Sequence, residues 1–408
     1  MSSGDGGGSR SRPAPALARL TGLDPDAFAS EYWGTQPLLT RAQGSFDDLF
    51  SAAAVDDLVA DRALRTPFVR MAHEGSVLSP PSFTGSGGFG AEIGDQLDSA
   101  KVLREFAGGA SLVLQGLHRT WAPIADFTRQ LVADLGHPAQ VNAYITPASS
   151  RGFDPHYDTH DVFVIQISGA KHWTIHEPVH EHPLADQPWS DHRDAVAARA
   201  RETPAIDATF EPGDVLYLPR GWIHSAVAQG GTSVHLTIGV RAATRFDVLQ
   251  RLVAQAGEDP ELRRPLALGV DYLSPSFADD IAATVSAARA LLDRADASAL
   301  GAGMERAFER ATRPAPVRPL ATVDLLADLA PSTIVGWRTG LPAHVQDDDA
   351  GVHIVLPDRT ITLPAEASAA IHALTSADHA AGSLPALDPD SSLVVSRRLV
   401  REAVLVVR

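Results

Sequence analysis

The chain has 408 residues, of which 44% are hydrophobic and 21% charged, with a net charge of −16 and no cysteine. That length accommodates two or three domains and a large core, and the acidic balance argues against a broad phosphate-binding surface. The absence of cysteine excludes disulfides, thiolate metal sites and a cysteine nucleophile, so any metal must be held by histidine, carboxylate or water.

The first nineteen residues, rich in Gly, Ser and Pro, read as a flexible tail without the apolar stretch of a signal peptide. No run of about 18 apolar residues suggests a transmembrane span, and a cytoplasmic location is expected. Ordered structure is expected from about residue 20. "TGLDPDAFASEYWGTQPLL" offers Asp24 as a helix N-cap, Pro25 at the first helical position, and Phe28 and Tyr32 one turn apart. Helical spacing recurs in "SFDDLFSAAAVDDLVA" and "IADFTRQLVADLG". Between them, "PPSFTGSGGFGAEIG" is read as a plain loop, because no Gly-Lys-Ser/Thr follows its glycines.

From about 140 to 242 the texture changes. "QVNAYITP", "DVFVIQIS", "HWTIHEP", "DATFEPGDVLYLP" and "TSVHLTIGV" are β-branched or aromatic runs between turn residues. This is the pattern of an antiparallel barrel or jelly roll, interrupted by an acidic, His- and Ala-rich insert at about 177–204. Helical texture follows Arg245: Phe246, Leu249, Leu252 and Val253 share one face, as do Ile281, Val285, Ala288, Leu291 and Leu292. "RATRPAPVRP" reads as a linker. The remainder, with a hairpin around Pro357-Asp358 and a closing helix and strand, fits a small winged-helix unit. The expected domains are a tail (1–19), a catalytic barrel (20–245), a helical segment (246–315) and a winged helix (316–408).

A metal constellation stands out within the barrel. In an extended chain residues i and i+2 face the same way, so a strand carrying His156-Tyr157-Asp158 points His156 and Asp158 to one side. "GDVLYLPRGWIH" runs from Gly213 to Pro219, Gly221 and His224, the spacing of a second cupin motif that brings another histidine inward. Two histidines and one carboxylate on one face form a facial triad, which leaves three open positions and selects non-haem Fe(II); zinc more often takes three ligands and one water. The histidines of "HEPVHEHP" read as a solvated loop, and His160, His172 and His192 as ordinary histidines. His235 on a later strand has a barrel-lining role as one alternative. Three open positions suit a chelating 2-oxo acid and O2. Lys171 is the candidate cation for the far carboxylate of 2-oxoglutarate if "DVFVIQISG" crosses the barrel and turns back at Ser168-Gly169. A buried lysine needs such a partner, and the alternative is a turn lysine in water.

The stretches "EYWGTQPLL", "VNAYITPASSRGFDPHYDTHDVFVIQISGAKHW" and "GDVLYLPRGWIHSA" resemble the JmjC-type cupin oxygenases, specifically the branch of bacterial and human ribosomal oxygenases, over about residues 20–245. The resemblance implies an α+β chain built on a double-stranded β-helix, with Fe(II) on His156, Asp158 and His224, and Lys171 on the C-5 carboxylate of 2-oxoglutarate. It also implies that Tyr144 adds a hydroxyl to that carboxylate, that Asn142 lies beside the iron and co-substrate, and that the helical segment forms a homodimer. The activity implied is hydroxylation of a protein side chain, a His or Arg of a basic ribosomal protein, with no membrane and no direct nucleic-acid contact. Some relatives carry a serine where Gly239 stands here, with Thr237 available to compensate. The rival readings are a hydroxylase of a small molecule or peptide natural product, and a non-catalytic metal-binding cupin acting as a regulator.

Overall fold

The computed structural model describes residues 14–73, 75–90, 92–148 and 154–408, which form two compact units, one ending at Ala242 and one spanning Ala243–Arg408. The chain between 149 and 153, part of the "ITPASSRGFDP" stretch, lies outside the described residues.

The first unit opens with helices α1 (Pro15–Thr21) and α2 (Pro25–Glu31), strand β1 (Leu38–Thr40) and α3 (Ala52–Ala60). Helix α1 begins five residues before the expected start of order. Its backbone N–H groups at Ala16 and Leu17 donate to the Asp134 carboxylate at 2.9 and 3.0 Å, a cap supplied from far along the chain, while Leu17 and Leu20 are buried. Asp24 caps α2 as its sequence position suggests, accepting from the Asp26 N–H.

Next come β2 (Val69–His73), β3 (Ser76–Val77), the short pair β4 (Thr84–Gly85) and β5 (Gln96–Leu97), α4 (Ser99–Ala107), β6 (Ser111–Leu114), α5 (Leu117–Thr120) and α6 (Ala122–Leu135). The barrel strands are β7 (Ala139–Thr146), β8 (Asp161–His176), β9 (Ile206–Phe210), β10 (Val215–Leu218) and β11 (Ile223–Val240), with α7 (Arg193–Arg199) between β8 and β9. The antiparallel order is β1-β10-β8-β11-β7-β6-β2-β3, with β9 also on β8.

Two expectations need correction. Ser168-Gly169 is not a hairpin: β8 runs unbroken through it. Its first half pairs with β10 and the end of β11, and its second half with β9 and the start of β11. Gly169, at φ +63°, takes up the bend, because an added Cβ there would lie 2.1 Å from the Thr232 carbonyl oxygen. Likewise His156–Asp158 is not a strand; a single bridge ties His156 to His224.

Helix α2, which leads into "EYWGTQPLL", is anchored by aromatic packing. Phe28 meets the Tyr217 ring edge-on at 4.9 Å and lies 6.1 Å from Phe163, geometry worth about 0.5–1.5 kcal/mol per pair beyond burial.

In the second unit α8 (Arg245–Ala254), α9 (Pro275–Asp293), α10 (Ala297–Ala311) and α11 (Pro319–Ala327) precede a mixed region. There β12 (Ile334–Trp337) leads into the meander β13 (His344–Asp348), β14 (Gly351–Val355), β15 (Thr360–Leu363), then α12 (Ser368–Ser376), β16 (His379–Ala380), α13 (Pro389–Arg401) and β17 (Leu405–Val407). Strand β12 pairs with both β16 and β17, over a core that includes Val335, Ile354, Ile371 and Leu399. No helix among the described residues is long and apolar enough to cross a membrane.

Candidate metal and co-substrate site

One ligand atom each from His156, Asp158 and His224 lie within 4.8 Å of one another. The backbone makes this happen. His156 and His224 exchange N–H···O bonds of 3.2 and 2.8 Å, and the Gly221 N–H donates to the Asp158 carbonyl at 3.0 Å. The turn before His224 relies on Gly221 at φ +90°, where a Cβ would lie 2.8 Å from the His180 carbonyl oxygen. Asp161, fully buried at the start of β8, accepts the Arg220 N–H at 3.0 Å and the Tyr217 hydroxyl at 2.8 Å, pinning the same turn.

Both imidazoles are oriented by backbone carbonyls: His156 Nδ1 lies 2.7 Å from the Asp154 oxygen and His224 Nδ1 lies 3.1 Å from the Trp222 oxygen. An Nδ1–H donated there leaves the Nε2 lone pair for a metal. His224 Nε2 is 3.8 Å from an Asp158 carboxylate oxygen. Burial, with His156 adding, pushes the His224 imidazole down to about 4, so it is neutral at physiological pH. Burial acts to raise the Asp158 carboxyl, but the imidazoles of His224, His160 and His156 outweigh it and hold it below the usual range. A neutral imidazole at His224 and an ionised carboxylate at Asp158 are protonation states that suit a divalent cation. Tyr157 is buried away from the site, its hydroxyl donating to the Gln187 carbonyl at 3.1 Å.

The three ligands line a cavity of about 510 Å³ that also contains Lys171, Tyr144, Thr146, Trp173, His235 and Thr237. Lys171 is 4% exposed; it donates to Thr146 Oγ1 at 3.1 Å, and burial pushes its ammonium down to about 8. The alternative of a turn lysine in water therefore fails. Burial raises the Tyr144 hydroxyl and, with Lys171 and His224, holds His235 well below the ordinary imidazole range. The Tyr144 and His235 rings stack at 5.1 Å, 4° from parallel. Asn142 is not among the cavity-lining residues; its amide oxygen accepts the Gly116 N–H at 3.0 Å at the start of α5. Gly239 faces His160, whose ring atoms lie 3.1–3.4 Å from where a Cβ would sit.

Sequence reasoning missed Thr146, although it shares a strand face with Asn142 and Tyr144 and that period was legible. It also placed His176 in a solvated loop, whereas His176 closes β8 and is 4% exposed. The insert contributes more than a loop: Trp189 lines the cavity 6.3 Å from the His156 ring, with the Arg193 guanidinium 4.9 Å from the indole.

A cupin-type barrel with an inward His/Asp/His trio defines the class, and the JmjC domain model matches residues 119–248. Residues 119–248 are therefore similar to a JmjC domain. It is 29% identical over 277 residues to human Ribosomal oxygenase 1, covering 63% of this chain and 40% of that protein. It is 43% identical over 99 residues to mouse Ribosomal oxygenase 2, covering 24% and 20%. It is also 37% identical over 131 residues to the bifunctional lysine-specific demethylase and histidyl-hydroxylase NO66 of Drosophila erecta, covering 32% and 18%. The chain spans about two-fifths of the length of the Ribosomal oxygenase 1 proteins it matches. Among solved structures, the ribosomal oxygenase YcfD of Escherichia coli has the same fold, with a TM-score of 0.51 at 18% identity, covering 95% of this chain and 98% of that one.

Proposed function

We propose that this protein is an Fe(II)- and 2-oxoglutarate-dependent oxygenase that hydroxylates a side chain, His or Arg, of a ribosomal protein. The observation that carries the reading is one cavity lined both by metal-ready ligands and by a buried ammonium. His156, Asp158 and His224 would hold Fe(II), which when bound supplies O2 activation coupled to oxidative decarboxylation of the 2-oxo acid. Lys171 neutralises the far carboxylate, Tyr144 offers its hydroxyl to it, and Thr237 lines the wall nearby. Asn142, on β7 two residues before Tyr144, is assigned a place beside the iron and co-substrate, with its amide oxygen held by the Gly116 N–H. Trp189 and Arg193 from the insert form part of the cavity wall where a side chain would approach. The relatives named as ribosomal oxygenases and the net charge of −16 support a basic ribosomal protein as partner, without direct nucleic-acid contact, and thus a site of action where such proteins are made, the cytoplasm.

For the second unit, exposed apolar side chains on α8 and α9, including Leu249, Val253, Ile281, Val285 and Leu292, support a homodimerisation segment at 246–315. The meander beside α12 and α13 supports a winged helix at 316–408. Light scattering on Ile281→Glu tests the first: a dimer that becomes a monomer is expected.

The decisive experiment incubates the purified protein with Fe(II), 2-oxoglutarate and ribosomal proteins. Succinate and a one-oxygen mass increase on a His or Arg are expected. Succinate formed only with a small molecule or short peptide would move the substrate assignment there, and no succinate under any condition leaves a non-catalytic cupin.

A further inference from the structure

His235 is placed like a binding residue. It lies on β11 in register with Tyr144 on β7, flat against the Tyr144 ring and edge-on to Trp173 at 5.4 Å. It is 3% exposed and lines the cavity with Lys171 and Thr237. Its Nδ1 is buried with no hydrogen-bond partner among the described residues.

That combination needs an explanation. Buried imidazoles ordinarily make hydrogen bonds, as His156 and His224 do. A buried polar group left unmatched costs about 1–3 kcal/mol. The ring is locked in plane by aromatic neighbours, so it cannot swing out to water. The groups that act on it electrostatically, Lys171 and His224, are both basic, and no carboxylate is among them. A neutral imidazole beside an ammonium has one N–H to give. The missing acceptor must therefore enter through the cavity, and an anion satisfies both groups at once.

We propose that His235 is a second hydrogen-bond donor to the co-substrate carboxylate held by Lys171, with the Tyr144 ring as the platform that fixes its plane. The inference rests on the 2-oxoglutarate reading above and adds a residue to it. It implies that His235 senses the distal carboxylate and is indifferent to the metal-chelating end.

The test uses the full chain loaded with Mn(II) under anaerobic conditions, with calorimetry of 2-oxoglutarate and of pyruvate, a 2-oxo acid that lacks the distal carboxylate. For His235→Phe, which keeps a flat ring without nitrogen, 2-oxoglutarate affinity should fall about 10- to 100-fold. Pyruvate and Mn(II) affinities should stay within about twofold of wild type, allowing for ordinary context effects. His235→Gln, which retains a donor, should recover much of the loss. If 2-oxoglutarate binds His235→Phe as tightly as wild type, the acceptor is a water and the proposal is overturned. Parallel loss of pyruvate affinity overturns it too, because the residue is then merely structural. If wild type itself binds no 2-oxoglutarate, the functional reading fails and the inference with it, a result distinct from the other two. Should His235→Phe not fold, imidazole ¹⁵N resonances of Zn(II)-loaded wild type, assigned through His235→Gln, decide the matter: His235 must shift on adding 2-oxoglutarate and not on adding pyruvate, and an unmoved signal overturns it.

Discussion

The two ends of the cavity satisfy their polar groups in opposite ways. At the metal end both imidazoles are held by backbone carbonyls, and the Asp158 and His224 segments are joined by the N–H of Gly221. Around Lys171 the ammonium has the hydroxyl of Thr146, and the Nδ1 of His235 has no partner among the described residues. Backbone contacts fix position whether or not a ligand is present. Unspent donors in a dry wall are stabilised when a ligand arrives. One end is thus preorganised by the fold and the other is completed by its occupant.

The contrast is broken most completely at the metal end. Asp158→Ala removes one of three ligands, so metal affinity should drop by more than about 100-fold, beyond the range usual for outer-shell changes. Succinate formation should vanish with it; metal analysis and turnover are the measurements. Lys171→Met breaks the other end. Losing one member of a buried charge pair costs about 3–5 kcal/mol, so 2-oxoglutarate affinity should fall by about 10²- to 10⁴-fold while Mn(II) affinity holds. The stability effect has the opposite sign. Burial disfavours the ammonium and lowers it from 10.5 to about 8, so between those values the unfolded chain binds more protons and stability rises with pH. Below pH 8 the full penalty applies. Ligand-free Lys171→Met should therefore melt higher than wild type at pH 7, and the gap should close as 2-oxoglutarate is added. For wild type, 2-oxoglutarate affinity should weaken by up to about tenfold per unit above pH 8, as the ammonium must be reprotonated to pair.

The same division explains what the sequence reveals. His156-x-Asp158 and the Gly213, Pro219, Gly221, His224 series are short-range patterns, because chain alternation and tight turns do the positioning, and they are visible without the fold. Lys171 is visible as a candidate, but a long bent strand rather than a turn at Ser168-Gly169 carries it inward. Thr146, Asp161 and the Asp134 cap of α1 act through partners roughly 25 to 118 residues away, and nothing in their local spacing announces those partners. Asn142 shares that strand face, and its amide oxygen also accepts the Gly116 N–H, a partner that only the packing of α5 reveals.

Asp161→Asn probes how far the metal end's order depends on the layer behind it. The amide keeps one acceptor for the Arg220 N–H but presents a donor toward the Tyr217 hydroxyl, which now gives its proton to Asp161 and accepts from the Gly34 N–H. A cost of about 1–3 kcal/mol in stability is expected. Metal affinity should fall about 10-fold, toward the lower end of outer-shell effects. If the ends are independent, pyruvate and 2-oxoglutarate affinities measured at saturating metal should change in parallel, unlike those of Lys171→Met.

The smallest effect is expected at Gly239, and it separates a packing constraint from a binding role. Gly239 stands on β11 beyond Thr237, and its backbone needs no left-handed conformation. What excludes a side chain is the His160 ring, within 3.1–3.4 Å of the position a Cβ would take. Gly239→Ser should therefore destabilise the protein by about 1 kcal/mol, the low end of overpacking costs, and leave metal binding nearly intact. His160→Ala opens the space. In a double-mutant cycle the pair should be more stable than the sum of the single changes, with a coupling of about 0.5–1 kcal/mol. A gain in 2-oxoglutarate affinity in the double variant alone would show that the serine hydroxyl reaches the co-substrate once His160 yields. Strict additivity of the two changes would mean that His160 is not what keeps a side chain out of this position.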